Sequence, residues 1–183
     1  LQVFCSSDSK LFMMHDGEEG FDKRIQNLIK QTDGGETPLE LPDGGYIRLK
    51  HKNMLALCDV GLLTPMANPG HSHAQTLCFE LCVGKERVFV NRGTYAYQTP
   101  KRTELRGTAS HNTVAINGLD SAEVWANFRV GRRPTHVTYE RVPTEDGGHK
   151  IIASHNGYRH IKLMHHRVWE MAGDGAVLKG EDT

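Results

Sequence analysis

From Tyr46 onward, short apolar runs closed by polar turns follow one another along the chain, and this rhythm constrains the fold more than any other feature. Tyr46 to Leu49 and Met54 to Asp59 read as a hairpin around His51, Lys52 and Asn53. Leu77 to Val83 and Arg87 to Asn91 read as strands joined by Gly84 and Lys85. His111 to Ile116 reads as another, ended by Asn117-Gly118, a favoured turn pair. Phe128 to Val130, Thr135 to Arg141, Lys150 to His155 and His160 to Glu170 supply the rest, with Asp146-Gly147-Gly148 as a hairpin turn. Strands at this spacing predict a mainly β protein, an antiparallel sandwich or barrel.

The first part of the chain has a different pattern. Lys10 to Met14 reads as a short strand and His15-Asp16-Gly17 as a turn. Phe21, Ile25, Leu28 and Ile29 recur at helical spacing, which predicts one short helix from about residue 20 to 31, with Gly34 and Gly35 as stop signals. Pro38 to Gly45 reads as a loop. The expected organisation is therefore 1–45 as a strand, helix and loop packed on a sandwich formed by 46–183.

Composition narrows the function classes. Twenty-two basic residues balance twenty-two acidic ones, so charge gives no reason to expect a nucleic acid or membrane partner. No apolar run approaches the roughly 18 residues that a membrane span needs. Cys5, Cys58, Cys78 and Cys82 show neither a CxxC pair nor a disulfide framework, and three of them sit in apolar runs that suit buried thiols.

Chemistry concentrates in Pro69-Gly70-His71-Ser72-His73-Ala74-Gln75. On a strand, residues two apart face the same way, so His71 and His73 would project together as two metal ligands, or as one ligand and one catalytic or substrate-binding group. Asn91-Arg92-Gly93-Thr94-Tyr95-Ala96-Tyr97 gathers an amide, a cation and two phenols at a strand end. Ser110-His111-Asn112-Thr113 adds a third imidazole. Imidazoles suit zinc, and three protein ligands are typical of an accessible zinc site. A cupin also carries HxH, but with a Glu a few residues later. The first acid after His73 is Glu80, which excludes that arrangement.

The order GHSHAQ, then an apolar strand ending in NRGTYAY, then HNTV, resembles the C-terminal domain of heparinase II/III-type polysaccharide lyases. The stretches Phe128 to Arg133, His155 to Tyr158 and His165-His166-Arg167 add to the resemblance, which spans roughly residues 8 to 182. It implies an antiparallel β-sandwich and eliminative cleavage of an acidic, uronic-acid-containing polysaccharide. It further implies His71 and Tyr97 as catalytic groups, Tyr95 and Arg92 as substrate contacts, and zinc on His73, His111 and Asn91. Asn91 stands where the family has a carboxylate, and Gln75 where an acid is common. The main catalytic Tyr of such enzymes lies on a preceding α/α toroid that this sequence does not resemble, so the chain is expected to be a fragment, inactive alone. The resemblance also places Glu181-Asp182-Thr183 before the last strands of the sandwich. Family members are mostly bacterial and often exported to the periplasm or beyond. Arg102, Arg106, Arg129, Arg132 and Arg133 read first as solvent-facing arginines and second as a uronate-binding set. Trp125 and Phe128 read first as core or interface and second as rings that stack on a sugar, and Tyr158 with His155 as structural.

Overall fold

A computed structural model describes residues 2–18, 22–31, 37, 39–63 and 66–183. One helix, α1 (Asp22–Gln31), precedes a five-stranded antiparallel sheet of β1 (Glu40–Leu41), β2 (Tyr46–His51), β3 (Met54–Asp59), β4 (Phe79–Val83) and β5 (Glu86–Phe89), ordered as they occur. A short helix α2 (Lys101–Arg106) and a small hairpin, β6 (Val124–Trp125) with β7 (Arg129–Val130), come next. The second sheet holds β8 (Val137–Pro143), β9 (His149–His155), β10 (His165–Met171) and β11 (Leu178–Asp182), in the order β11-β10-β9-β8.

The two sheets form a sandwich because their inward positions alternate along each strand. Ile47, Leu49, Ala56, Cys58 and Leu81 of the first sheet join Ile151, Ala153, Trp169 and Met171 of the second in one buried cluster. Burying each large side chain contributes roughly 1.5–3 kcal/mol. The second sheet keeps a wet outer face, and Ile152 on it is exposed. The first sheet is covered on both sides. Leu55, Leu57 and Cys82 pack outward against Val3, Phe12 and Met14, so residues 2–16 lie over it as a strap. Arg48 holds the strap by donating to the carbonyls of Gln2 and Val3, and Arg87 pairs with Asp8. Cys58, Cys78 and Cys82 are buried free thiols. Among the described residues no helix is long and apolar enough to cross a membrane.

The hairpin around Lys52 and Asn53 forms as expected, with His51 opposite Met54 and Lys52 at positive φ. Several expectations need correction. Lys10 to Met14 is no strand, because the strap makes a single bridge, Cys5 to Leu11, and spends its side chains on packing. His111 to Ile116 is no strand either: a 3-10 turn at Thr108–Ser110 leads into bends and one bridge between Ile116 and Leu119. Within the predicted loop 38–45, Glu40 and Leu41 pair with β2. A strand not foreseen, β11, pairs with β10 along its whole length despite the polar sequence Leu178 to Asp182. The helix start at residues 20 and 21 and the stop signals Gly34 and Gly35 lie outside the described residues.

Candidate functional site

The site forms where the strap, the 3-10 turn Pro69–His71, the segment 91–97, helix α2 and the turn before His111 meet. Gly93 makes the meeting possible. Its φ is +56°, and a Cβ there would stand 2.2 Å from the Gly17 carbonyl oxygen, so only glycine admits the close crossing. Thr94 N–H then donates to that same carbonyl at 2.9 Å, docking the Asp16 turn against the segment that carries Tyr95 and Tyr97.

Asp16 is the hub. Its Oδ1 accepts from His73 Nε2 at 2.8 Å, Thr94 Oγ1 at 2.6 Å and Arg102 Nη1 at 2.7 Å. Its Oδ2 accepts from His71 Nδ1 at 2.6 Å and Arg102 Nη2 at 2.9 Å. Burial alone would raise the carboxyl, but hydrogen bonds from His73, Arg102, Thr94 and His71 outweigh it and hold Asp16 well below the usual carboxylate range. An ionised Asp16 can only accept, which fixes protons on His71 Nδ1 and His73 Nε2.

His71 and His73 do not share a strand face. His71 closes a 3-10 turn, so the two side chains part: His73 is fully buried, whereas the His71 side chain is 64% exposed. Asp16 reunites them, one oxygen to each. His71 meets the Tyr97 ring edge-on at 5.7 Å, and Phe128 stacks on Tyr97 at 5.9 Å. The Arg102 guanidinium lies over both of those rings, 4.6 Å from Tyr97 and 5.0 Å from Phe128. Phe128 is therefore part of the site's surface rather than of the core. Tyr95 is well exposed, and Arg92 makes an exposed ion pair with Glu104 at 3.3 Å. Burial and the Asp16 charge raise the Tyr97 phenol above its usual value, so it keeps its proton at neutral pH.

Beneath this surface His73 Nδ1 and His111 Nε2 face each other at 3.3 Å. Burial pushes His73 down to about 4 and His111 well below its usual value, so both rings are neutral. Asn91 Oδ1 accepts from the Asn112 N–H at 3.2 Å and lies 3.3 Å from His111 Nδ1, which can donate to it. A proton on His111 Nε2 makes the His73 contact a hydrogen bond; with the proton on Nδ1 instead, and His73 protonated on Nε2, two lone pairs point at one another. That donor set suits a cation between them, each ring being oriented from behind as metal-ligating histidines usually are. Asn91 stands on the far side of His111, and its amide donates toward Glu80, Met14 and Cys78. Gln75 is occupied elsewhere, accepting from His15 N–H and donating to Asp59. Among the described residues no three His, Cys, Asp or Glu side chains converge on a metal position.

The arginines divide. Arg102 and Arg106, expected to face solvent, are buried, because their guanidinium groups satisfy the carbonyls that close the site: Gly70 and Asn127 for Arg102, Ser72, Asn127 and Arg129 for Arg106. Arg129 is exposed, and Arg132 and Arg133 are half-buried. Asp16, Thr94 and Arg102 are the members that sequence reasoning missed. Asp16 lies 55 positions from His71 and 86 from Arg102, and its own neighbourhood reads as an ordinary turn.

Residues 33–183 match the C-terminal domain of the heparinase II/III-like family. The chain belongs to that family. Among curated proteins it is similar to FtsZ-localized protein C of Caulobacter vibrioides (strain NA1000 / CB15N), with 22% identity over 191 residues that cover 100% of this chain and 33% of that protein. Among solved structures a heparinase III superposes with a TM-score of 0.68 at 16% identity, over 94% of this chain and 29% of that one. The heparan sulfate lyase HepC of Pedobacter heparinus gives 0.67 at 15%, with the same shares. At such identities the likeness is one of fold, and the two-sheet architecture is that of the heparinase III sandwich. The chain spans about a third of its curated relative, 33%, and 29% of these two solved chains.

Proposed function

We propose that this chain is the sandwich domain of a polysaccharide lyase, which presents His71 and Tyr97 to a uronic-acid-containing polysaccharide and holds zinc between His73 and His111. The observation that carries the reading is His71 itself: exposed, fixed through Nδ1 by an ionised Asp16, and set against Tyr97 directly outside the buried histidine pair. Elimination breaks the C5–H and C4–O bonds of the uronate, forms a C4–C5 double bond and protonates the departing oxygen. With its Nδ1–H donating to Asp16, His71 offers Nε2 as the acceptor for the C5 proton. Tyr97, kept protonated, suits the donor side of the step. Tyr95 contacts sugar, and Arg92 can exchange its weak pair with Glu104 for the uronate carboxylate. Bound to His73 and His111, zinc would supply a fixed positive charge below the substrate face, with Asn91 orienting His111.

The chain is expected to act with an α/α toroid, which supplies the remaining catalytic groups, so alone it has little or no activity. Incubation of the chain with glycosaminoglycan or alginate should give no unsaturated-uronate absorbance; a steady rise would refute the proposal. A second reading, a noncatalytic carbohydrate-binding or interaction module without metal, is favoured by Asn91, a neutral amide on the far side of His111 that leaves two imidazoles alone at the gap. Metal analysis separates the two. Stoichiometric zinc that is lost in His73→Ala and His111→Ala supports the lyase reading, and a metal-free parent supports the second.

A further inference from the structure

Outside the site, one feature of the charge distribution is uneven. Residues 131–136, before β8, and residues 156–164, between β9 and β10, carry Arg132, Arg133, His136, Arg159, His160 and Lys162 and not one acidic residue, in a chain whose basic and acidic residues balance. The two loops are tied into one surface. Arg159 Nη1 donates to the Arg133 carbonyl at 2.8 Å and Arg132 Nη1 to the Gly157 carbonyl at 2.7 Å. Asn156 Oδ1 accepts from the backbone N–H groups of Thr135 and His136. Among the described residues none of these six basic side chains, nor Arg129, makes an ion pair. Two acids border the loops: Glu123, exposed, accepts from the Arg132 backbone N–H, and Asp120 accepts from that of Thr108.

This surface runs into the candidate site. Arg133 Nη2 reaches the Met66 carbonyl, three residues before the Pro69–His71 turn. Arg129 follows Phe128, whose ring lies 6.3 Å from His71, and the β6–β7 hairpin sits against that same turn. The exposed cations on this surface are Arg129, Arg159 and Lys162, with Arg133 half-buried between the loops and the turn. Arg159 is anchored by a guanidinium nitrogen on the Arg133 carbonyl, so less side-chain freedom is lost on binding than for a free surface lysine, while Arg133 keeps Nη1 buried and braces the loops.

We infer that this strip is an extended subsite for an anionic polysaccharide, holding carboxylate or sulfate groups of the sugars beyond the one at His71. The inference rests on the proposed function and names what the chain grips outside the reacting unit. Aromatic rings beside the cations favour sugar over duplex nucleic acid, since Tyr97 and Phe128 offer faces to pyranose rings while phosphates need only charge.

The test is binding of the chain to heparin, alginate, neutral dextran and duplex DNA at several salt concentrations. The variant is Arg129→Ser with Arg159→Ser and Lys162→Ser, its thermal midpoint checked against the parent. Affinity for the two acidic polymers should fall about tenfold or more, with a shallower salt dependence, because charged contacts are lost. A response to heparin alone would assign sulfate, and to both polymers carboxylate as well. If the parent binds acidic polymer and the triple variant binds it equally, the subsite is wrong while the proposed function stands. If the parent binds none, the proposed function fails too. Duplex DNA bound as tightly as heparin would overturn the choice of ligand. Should the triple variant lose its fold, Arg159→Ser alone carries the same expectation at about threefold.

Discussion

Asp16 accepts from two histidines, an arginine and a threonine, and among the described residues it is the one carboxylate paired with Arg102, whose side chain is 1% exposed. A guanidinium this deep is tolerated because the carboxylate neutralises it bidentately. Asp16→Asn removes the charge and keeps the shape. It is expected to cost about 3 kcal/mol in urea denaturation, the usual order for breaking a buried pair, and a second change, Arg102→Met, should recover much of it. A loss under about 1 kcal/mol would show that Arg102 is held by its carbonyl partners instead. The same substitution frees His71 Nδ1 and His73 Nε2 from a fixed tautomer, so one residue controls both the exposed and the buried imidazole.

At the scale of elements, the strap depends on Gly93. Alanine there would meet the Gly17 carbonyl and would sit at positive φ, so Gly93→Ala should destabilise by at least about 2 kcal/mol. Hydrogen exchange should show the Thr94 amide losing protection before the β3 and β4 amides do; an unchanged Thr94 amide would mean that the crossing is not what docks the strap. The elements also show what was legible in the sequence. Alternation in β2, β9 and β10 and the turn at Lys52 and Asn53 were readable, since both are local. The order of motifs around His71, Asn91 and His111 gave the family. What was not legible depended on distance or on context. β11 is polar and becomes a strand only because β10 offers it a full ladder. His111 loses its strand because the turn at Thr108–Ser110 and the bonds of Asn112 to Asn91 and Phe79 set its path. Arg102 and Arg106 read as surface residues because nothing local announces a buried cluster of carbonyls.

For the whole molecule, buried neutral histidines tie stability to pH. His155 Nδ1 accepts from the Gly157 N–H, its Nε2 donates to His165 Nδ1, and His165 Nε2 donates to Asp182, so β9, β10 and β11 share one chain of hydrogen bonds. Burial, with help from His165, Arg167 and His166, pushes His155 down to about 3. Its contribution is fully present above the ordinary histidine value of about 6.5 and is lost as pH falls from there toward 3, at about 1.4 kcal/mol per pH unit. Glu80 opposes this. Burial raises it to about 7, so its contribution is lost as pH rises from the ordinary carboxylate range to 7. Comparing the parent with His155→Gln cancels Glu80. The stability difference should shrink by about 1.4 kcal/mol per unit as pH falls from 6.5 to 4.5, whereas a difference independent of pH would contradict a neutral His155.

The central claim, that the face around His71 is where acidic polysaccharide lies, is tested most directly by amide and side-chain chemical-shift mapping of the chain titrated with a short uronic-acid oligosaccharide. The account predicts shifts at His71, Tyr97 and Phe128 and, with longer oligosaccharides, at Arg129, Arg133 and Arg159, while His155 and His165 stay unmoved. Saturable shifts confined to any other face, with His71 and Tyr97 silent, would contradict it.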